Sequence, residues 1–184
     1  LLERVGKEVI APTLQAMVDE GRPYRGVLYA GMMLTADGPK VIEFNCRFGD
    51  PETQVVLPLL ESDLVDVCQA CIDGTLAATD VRWRAQAAVT VVMASAGYPV
   101  SGSPPVPITG LDSAADIGCT VFHAGTAVVG GVPHTAGGRV LAVTAVRNSL
   151  EAAADAAHRG VALIKFEGAQ HRTDIARATA GVRR

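Results

Sequence analysis

The chain has 184 residues, of which 49% are hydrophobic and 19% are charged, and its formal net charge at pH 7 is −3. That length and apolar fraction suffice for one domain or two small ones. The weakly negative charge, without a long run of Lys and Arg, argues against nucleic-acid binding. No apolar stretch reaches the roughly 18–20 residues of a membrane span, and the first residues are not typical of a signal peptide. We therefore expect a cytoplasmic protein without a membrane partner.

The first segment predicts a helix and then a β-hairpin. Apolar residues recur at helical spacing over 3–20, where Pro12 introduces a kink and Gly21 ends the helix. Because the chain opens inside this pattern, we expect an N-terminal portion of the protein to be missing. Strands over 26–35 and 40–45 flank the turn residues 36–39.

Two helices are expected next, over 52–60 and 63–72, with Ser62 as the cap of the second helix and Gly74 as its stop. Cys68 and Cys71 form a C-x-x-C pair in the second helix. A metal or redox role remains open, although two small buried residues on one helix face are the commoner case.

The pattern becomes β-rich after about residue 78. Short strands alternate with Gly and Pro turns over 87–96, 119–124, 126–129 and 139–146. A helix over 149–165 with Ser149 as its cap follows. We predict an α+β fold in which residues 1–80 form one domain and residues 81–184 a small β-rich one.

The stretch 41–54, V-I-E-F-N-C-R-F-G-D-P-E-T-Q, carries the chemistry. Glu43 and Asn45 lie two residues apart on a predicted strand, so they share one face. Both offer the hard oxygen ligands that Mg²⁺ takes together with phosphate oxygens. Arg47 adds a planar cation that can hold phosphate or carboxylate, and Gly49 allows a turn that aims Asp50 back. From the residues alone, ordinary turn residues at a strand end remain an equal alternative.

This stretch resembles the phosphoribosylamine–glycine ligase (GAR synthetase) family of ATP-grasp enzymes almost letter for letter. Shorter similarities follow in the same order along the chain: Ser62–Leu64, Gly97–Pro99, Phe122–Thr126, Gly137–Leu141 and Arg172–Ile175. The resemblance implies the C-terminal part of an ATP-grasp domain, with an antiparallel sheet and helices, followed by the family's small β-rich domain.

The resemblance also implies a reaction. The family joins glycine to 5-phosphoribosylamine through glycyl phosphate, with ATP as co-substrate converted to ADP and phosphate. Glu43 and Asn45 match its ligands for Mg²⁺ or Mn²⁺, Arg47 matches a residue that steadies the phosphoryl group, and Asp50 is expected to face the glycine ammonium. Because the family's preceding segments have no counterpart here, we expect the chain to be inactive alone.

Other functions stay open at this point. A different ATP-grasp ligase or carboxylase of purine biosynthesis, or a formate-dependent transferase, would share part of the pattern. A non-catalytic binding module is a further alternative, which the intact Glu43, Asn45 and Arg47 disfavour. His123 can serve as a base or as a structural hydrogen bonder. The Gly-Gly pair before Arg139 can form an anion-binding loop, in which case Arg139 can bind substrate. Alternatively, the pair forms a hairpin turn and Arg139 only begins the next strand. The sequence does not specify the oligomeric state.

Overall fold

The computed structural model describes residues 1–177, which form two compact units. The first unit comprises Leu1–Asp50 and Glu61–Arg82. The second comprises Pro51–Leu60 and the described residues from Trp83 onward. The ten-residue segment after Asp50 thus belongs to the second unit, although the first unit holds the chain on both sides of it. The predicted domain bounds, 1–80 and 81–184, stay a prediction.

The first unit opens with the expected helical stretch. It consists of α1 (Leu2–Val5), a π-helical turn over Gly6–Ile10 and α2 (Ala11–Asp19). The π turn ends two residues before Pro12, which has no backbone N–H and whose ring clashes with the carbonyl one turn earlier. A wider turn relieves that clash. The predicted helix is therefore confirmed, and the irregularity expected at Pro12 takes the form of a π turn.

The predicted hairpin is confirmed as β1 (Tyr29–Thr35) and β2 (Gly38–Asn45), which pair antiparallel. Thr35 pairs with Gly38, so only two residues connect the strands. The connection is shorter than the predicted turn over 36–39, because Gly38 and the following proline already belong to β2.

Helix α4 (Leu64–Asp73) ends at Gly74, as predicted, but its cap is Asp63. The Asp63 carboxylate accepts a hydrogen bond from the Val65 amide at 2.7 Å. The prediction of Ser62 as the cap was wrong, because the Ser62 hydroxyl instead accepts from the Arg82 amide at 2.8 Å. Asp and Ser are nearly equivalent caps, so sequence preference could not separate these neighbours.

The helix predicted over 52–60 is only partly formed, as α3 (Thr53–Val56) and a 3₁₀ turn over Leu57–Leu59. Pro58 explains the break, because it cannot donate to the carbonyl of Gln54 four residues earlier. The Thr144 hydroxyl donates to that carbonyl instead, at 3.0 Å.

The second unit is built on a three-stranded antiparallel sheet and a separate two-stranded hairpin. The strands are β3 (Ala87–Ala94), β4 (Cys119–His123), β5 (Thr126–Val129), β6 (Val132–Thr135) and β7 (Arg139–Arg147). Its longer helices are α5 (Leu111–Asp116) and α6 (Leu150–Leu163). Strands β3, β4, β5 and β7 confirm the predicted strands, whereas α5 and β6 were not predicted.

The core of the second unit lies between its sheet and α6. Ser149 caps α6 as predicted, since its hydroxyl accepts from the Ala152 amide at 3.2 Å. Alternate residues of β3 point into this core, and β7, as the central strand, is buried along most of its length. Alanines on α6 let the helix lie close to the sheet. The buried set includes Val89, Val91, Met93, Leu141, Val143, Ala153, Ala156, Ala157 and Val161.

The predicted α+β class with antiparallel sheets is confirmed. Cys68 is exposed and Cys71 half-buried, and both line one small apolar cavity beside α4, so they do share a helix face. Within residues 1–177, no helix has both the length and the apolar character needed to cross a membrane.

Candidate active site

Glu43 and Asn45 are in direct contact near the end of β2. The Asn45 Nδ2 donates to Glu43 Oε1 at 2.8 Å. This contact requires both side chains on the same face of the strand, which the two-residue spacing provides. Glu43 is exposed and Asn45 is half-buried. The hydrogen bond uses the nitrogen of the amide, so the oxygens Asn45 Oδ1 and Glu43 Oε2 take no part in it.

The strand pairing makes room for Glu43. Gly31 lies opposite it on β1, and a Cβ added to Gly31 would lie only 3.1 Å from Glu43 Cγ. The next pair joins Met32 to Val41, so Ile42 is an extra residue in β2. Such β-bulges bend a strand and re-aim the side chains beside them. A glycine on one strand and a bulge on the other therefore set the direction of the Glu43 carboxylate.

Arg47 and Asp50 lie in the loop that follows β2, and both are exposed. The Arg47 Nη1 donates to the Phe48 carbonyl at 2.8 Å, so the guanidinium lies against the backbone of its own loop. Gly49 between them is buried. The structure thus joins Glu43 to Asn45 directly and places Arg47 and Asp50 on the adjoining loop.

Tyr24 lies beside the start of this loop. The Tyr24 hydroxyl donates to the Val27 carbonyl at 2.7 Å. Desolvation raises the pKa of Tyr24, and a hydrogen bond with Cys46 raises it further. Cys46 separates Asn45 from Arg47 in the chain, so Tyr24 lies beside the junction between β2 and this loop.

The donor set fits a hard divalent cation that keeps several non-protein ligands. Mg²⁺ takes one or two carboxylates and completes its shell with phosphate oxygens and water. Zinc sites use three or four ligands, mostly His and Cys. Within residues 1–177, no group of three or more His, Cys, Asp or Glu side chains is arranged to hold a metal. A single carboxylate and one amide oxygen therefore match the magnesium pattern.

The sequence left the roles of two residues of the second unit, His123 and Arg139, undecided. His123 is exposed at the end of β4, and its Nδ1 hydrogen-bonds the Thr126 hydroxyl at 2.9 Å, as a structural residue would. Arg139 begins β7 and lines a cavity on the sheet.

Two protein-family models match this chain. Residues 1–53 match the model of the phosphoribosylglycinamide synthetase ATP-grasp (A) domain, and residues 88–178 match the model of the C domain of the same synthetase. The chain belongs to the phosphoribosylglycinamide synthetase family. The A-domain match includes Glu43, Asn45, Arg47 and Asp50.

Curated relatives agree with this assignment. The chain is 53% identical over 176 residues to the human trifunctional purine biosynthetic protein adenosine-3, covering 95% of this chain and 17% of that protein. It is 47% identical over 175 residues to phosphoribosylamine–glycine ligase of Rhizobium meliloti, covering 95% of this chain and 41% of the relative. The chain thus spans about two fifths or less of the relatives' length.

A solved structure shows the same fold. The crystal structure of phosphoribosylamine–glycine ligase from Thermotoga maritima superposes with a TM-score of 0.82 at 33% identity, covering 95% of this chain and 42% of that one. This similarity to an enzyme of the family confirms the ATP-grasp-type fold inferred from the motif.

Sequence reasoning missed the contribution of Gly31 to the site. A glycine inside a strand pattern commonly marks a bulge or a close approach, and this signal was present. Its partner across the hairpin was not readable, because the bulge at Ile42 shifts the register.

Proposed function

We propose that the protein containing this chain joins the carboxylate of glycine to the amine of 5-phosphoribosylamine, with ATP converted to ADP and phosphate. Its substrates are three small molecules, and the product is glycinamide ribonucleotide. The observation that carries this proposal is the Glu43–Asn45 pair, held at 2.8 Å on a strand that matches the family's ATP-grasp domain.

Glu43 and Asn45 are the residues that would hold Mg²⁺ or Mn²⁺. When bound, the cation neutralises phosphate oxygens of ATP and orients the γ-phosphoryl group. Glu43 supplies the anionic ligand, and Asn45 supplies a neutral oxygen while its nitrogen fixes the carboxylate. Gly31 has no Cβ and so leaves room for the Glu43 Cγ that carries this carboxylate.

The proposed chemistry has two steps. A carboxylate oxygen of glycine attacks the γ-phosphorus, the bond to the bridging oxygen breaks, and ADP leaves. The amine of phosphoribosylamine then attacks the carbonyl carbon of glycyl phosphate, loses a proton, and phosphate leaves with its oxygen. Negative charge accumulates on oxygens at both steps, so a nearby guanidinium stabilises them.

Arg47 is the residue we assign to that stabilisation. Its guanidinium is exposed, and one of its five N–H donors is used by the Phe48 carbonyl. The planar fork can turn toward a phosphoryl or acyl-phosphate group with little backbone change. Asp50 is assigned to the glycine ammonium, because an exposed carboxylate in the same loop offers the opposite charge.

The test replaces the matching 175-residue region of the Rhizobium meliloti relative by this chain. The chimera is assayed for ADP release and for amide formation. We expect one ADP per amide bond, and only when glycine and phosphoribosylamine are both present. The matched variant Glu43→Gln keeps size and hydrogen bonding but removes the charge, and it should lose turnover while remaining folded. A folded chimera that binds ATP yet forms no amide would contradict the proposal.

A further inference from the structure

The C-x-x-C pair lies on a cavity that the proposed ligase chemistry does not use. Cys68 and Cys71 both line a cavity of about 250 Å³ beside α4, within the first unit. Cys68 is exposed and Cys71 is half-buried. Neither Glu43 nor Asn45 is among the lining residues. The two thiols therefore form a pair of nucleophiles outside the candidate metal site.

The pair does not form a metal site with other residues in the described part of the chain. No group of three or more His, Cys, Asp or Glu side chains within residues 1–177 is arranged to hold a metal. Two thiolates alone fall short of the three or four protein ligands that zinc takes. The chemistry left to these thiols is covalent, either as a redox pair or as nucleophiles toward a bound molecule.

The helix geometry disfavours a disulfide between the two cysteines. Helix residues three positions apart have Cβ atoms about 5–6 Å apart, whereas a disulfide needs about 3.5–4.5 Å. Closing that gap would distort α4, which Asp63 caps at one end and which stops at Gly74, with a φ of +75°. Addition of one thiol to a bound electrophile needs no such distortion.

The lining of the cavity suits an apolar ligand that carries one hydrogen-bond acceptor. An apolar cavity of about 150 Å³ is large enough for benzene, so this one accommodates a somewhat larger molecule. Arg25 is the single charged residue among the lining residues in the described part of the chain. Six large apolar side chains make up most of the remaining lining: Val27, Phe48, Leu64, Val67, Ile72 and Leu76.

Hydrogen bonds hold two walls of this cavity in place. The Arg25 Nη1 donates to the Ile72 carbonyl near the C-terminal end of α4. This contact uses one of the five N–H donors of the guanidinium, which can donate to several oxygens at once. On the opposite side of the sequence, the Tyr24 hydroxyl donates to the Val27 carbonyl at 2.7 Å. The cavity is therefore pre-formed, which lowers the entropic cost of binding a ligand.

We propose that this cavity is a covalent modification site for small apolar α,β-unsaturated carbonyl compounds, with Cys68 as the nucleophile. The apolar tail packs on the lining, and the carbonyl oxygen accepts a hydrogen bond from Arg25. The Cys68 sulfur forms a bond to the β-carbon, the carbon–carbon π bond breaks, and the α-carbon takes up, through water, the proton that the thiol gives up. Cys68 reacts in preference to Cys71, because reactive cysteines are solvent-accessible and lie near positive charge.

Phe48 connects this cavity to the candidate active site. Its side chain lines the cavity, and its carbonyl accepts the hydrogen bond from Arg47 at 2.8 Å. An adduct on Cys68 that fills the cavity packs against this ring and should displace the loop that carries Arg47. Modification should therefore lower ligase turnover. This consequence rests on the proposed function, whereas the modification site does not.

The test compares the reaction of the chain with N-hexylacrylamide and with acrylamide, which has the same reactive group without the tail. Peptide mass spectrometry gives the rate at each cysteine. Cys46 is the internal reference, because it is exposed but does not line the cavity. Burying a methylene favours binding by roughly threefold to fourfold, so N-hexylacrylamide should modify Cys68 at least about tenfold faster than Cys46. With acrylamide, which buries no tail, the preference should stay below about threefold.

Two controls test the roles of the guanidinium and of the cavity. Arg25→Met keeps the apolar stem but removes the donors, so it should lower the preference for Cys68 severalfold. Arg22→Met is the matched control, since Arg22 is exposed and does not line the cavity. If Arg25→Met fails to fold, competition replaces it: unreactive N-hexylpropionamide should slow modification of Cys68 and not of Cys46. Equal preference with both acrylamides, or no protection by N-hexylpropionamide, would overturn the inference.

Turnover of the chimera separates this inference from the proposed function. Treatment with N-hexylacrylamide should lower amide formation severalfold, and Cys68→Ser should prevent that loss. If the untreated chimera forms no amide while Cys68 is still modified selectively, the proposed function fails and the modification site stands. If the chimera is active and selective modification of Cys68 leaves its turnover unchanged, the proposed function stands and the connection through Phe48 is refuted.

Discussion

Substituting Gly31 by Ala tests whether the space beside Glu43 governs the metal pair. The added Cβ would lie 3.1 Å from Glu43 Cγ, below the ordinary carbon contact of about 3.5–4.0 Å. Glu43 must yield by roughly 0.4 Å or more, which corresponds to a side-chain rotation of about 15–30° and costs about 0.5–1.5 kcal/mol. That rotation carries the carboxylate by about 1 Å and lengthens the 2.8 Å hydrogen bond from Asn45 past the usual limit of about 3.2 Å.

The backbone contribution of this substitution acts in the opposite direction. Gly31 has no positive φ, so Ala fits its backbone, and replacing Gly within a strand stabilises by about 0.5–1 kcal/mol. Because this gain offsets the cost of the Glu43 rotation, thermal stability should change by no more than about 1 kcal/mol in either direction. Affinity for Mn²⁺ should fall by roughly twofold to tenfold, which is the rotamer cost expressed as a binding ratio.

The assay follows the electron paramagnetic resonance signal of free Mn²⁺ during titration of the chain with ATP present. Gly102→Ala is the control, because a Cβ there has no heavy atom within 4 Å and Gly102 has no positive φ. The reasoning is refuted if Gly31→Ala binds Mn²⁺ as tightly as the unmodified chain, or if the control weakens binding equally.

Three further predictions concern the described fold. Burial raises the pKa of the Cys119 thiol, so in the folded protein at neutral pH it should react with a thiol reagent far more slowly than exposed Cys46. Cys119 should become reactive when the protein unfolds. Equal reaction rates of the two thiols in the folded protein would contradict this. Gly110→Ala should lower the free energy of unfolding, measured in urea, by about 2–5 kcal/mol. Gly110 has a φ of +81°, and an added Cβ would lie 2.1 Å from the carbonyl oxygen of the last α6 residue. Gly130→Ala shares the positive φ but meets nothing within 4 Å, so it should cost only about 1–2 kcal/mol; equal losses would refute the clash. The hydrogen bond from Arg172 lowers the pKa of Asp174. The ion pair should therefore persist as pH falls through the ordinary carboxyl range and be lost only as pH falls through the lowered pKa. A ¹³C titration of the Asp174 carboxyl at the ordinary value would contradict this.

The hairpin and the candidate ligand pair Glu43 and Asn45 could be predicted from the sequence, because strand periodicity is a local property. Two residues two positions apart must share a face, and turn residues at 36–39 fixed where the chain reverses. Ser149 was likewise predicted as the cap of α6, because the signal is one polar residue before an apolar-periodic run.

Elements that contain a proline were harder to predict from the sequence. Pro58 stops α3 after one turn, and the freed Gln54 carbonyl is satisfied by Thr144, a residue ninety positions away. Strand β6 contains Pro133, which lowers strand preference, yet it pairs with β5 in a two-stranded hairpin where the missing N–H is tolerated. In the first case a tertiary contact decides the structure, and in the second the pairing with the neighbouring strand does.

The cavity of the second unit was not predictable for the same reason. Its wall depends on Gln170 binding the carbonyls of Ser95 and Tyr98, more than seventy residues earlier. The separate motifs were visible in sequence, but only the antiparallel sheet places them around one space.

The central claim is that Glu43 and Asn45 together hold a divalent cation against ATP. Paramagnetic broadening by Mn²⁺ in the presence of ATP measures this directly, because it acts on amides close to the bound ion. The predicted result is selective loss of the amide signals of residues 31 and 43–45, reversed by excess Mg²⁺ and absent in Glu43→Gln. Broadening centred elsewhere, or unchanged in Glu43→Gln, would contradict it.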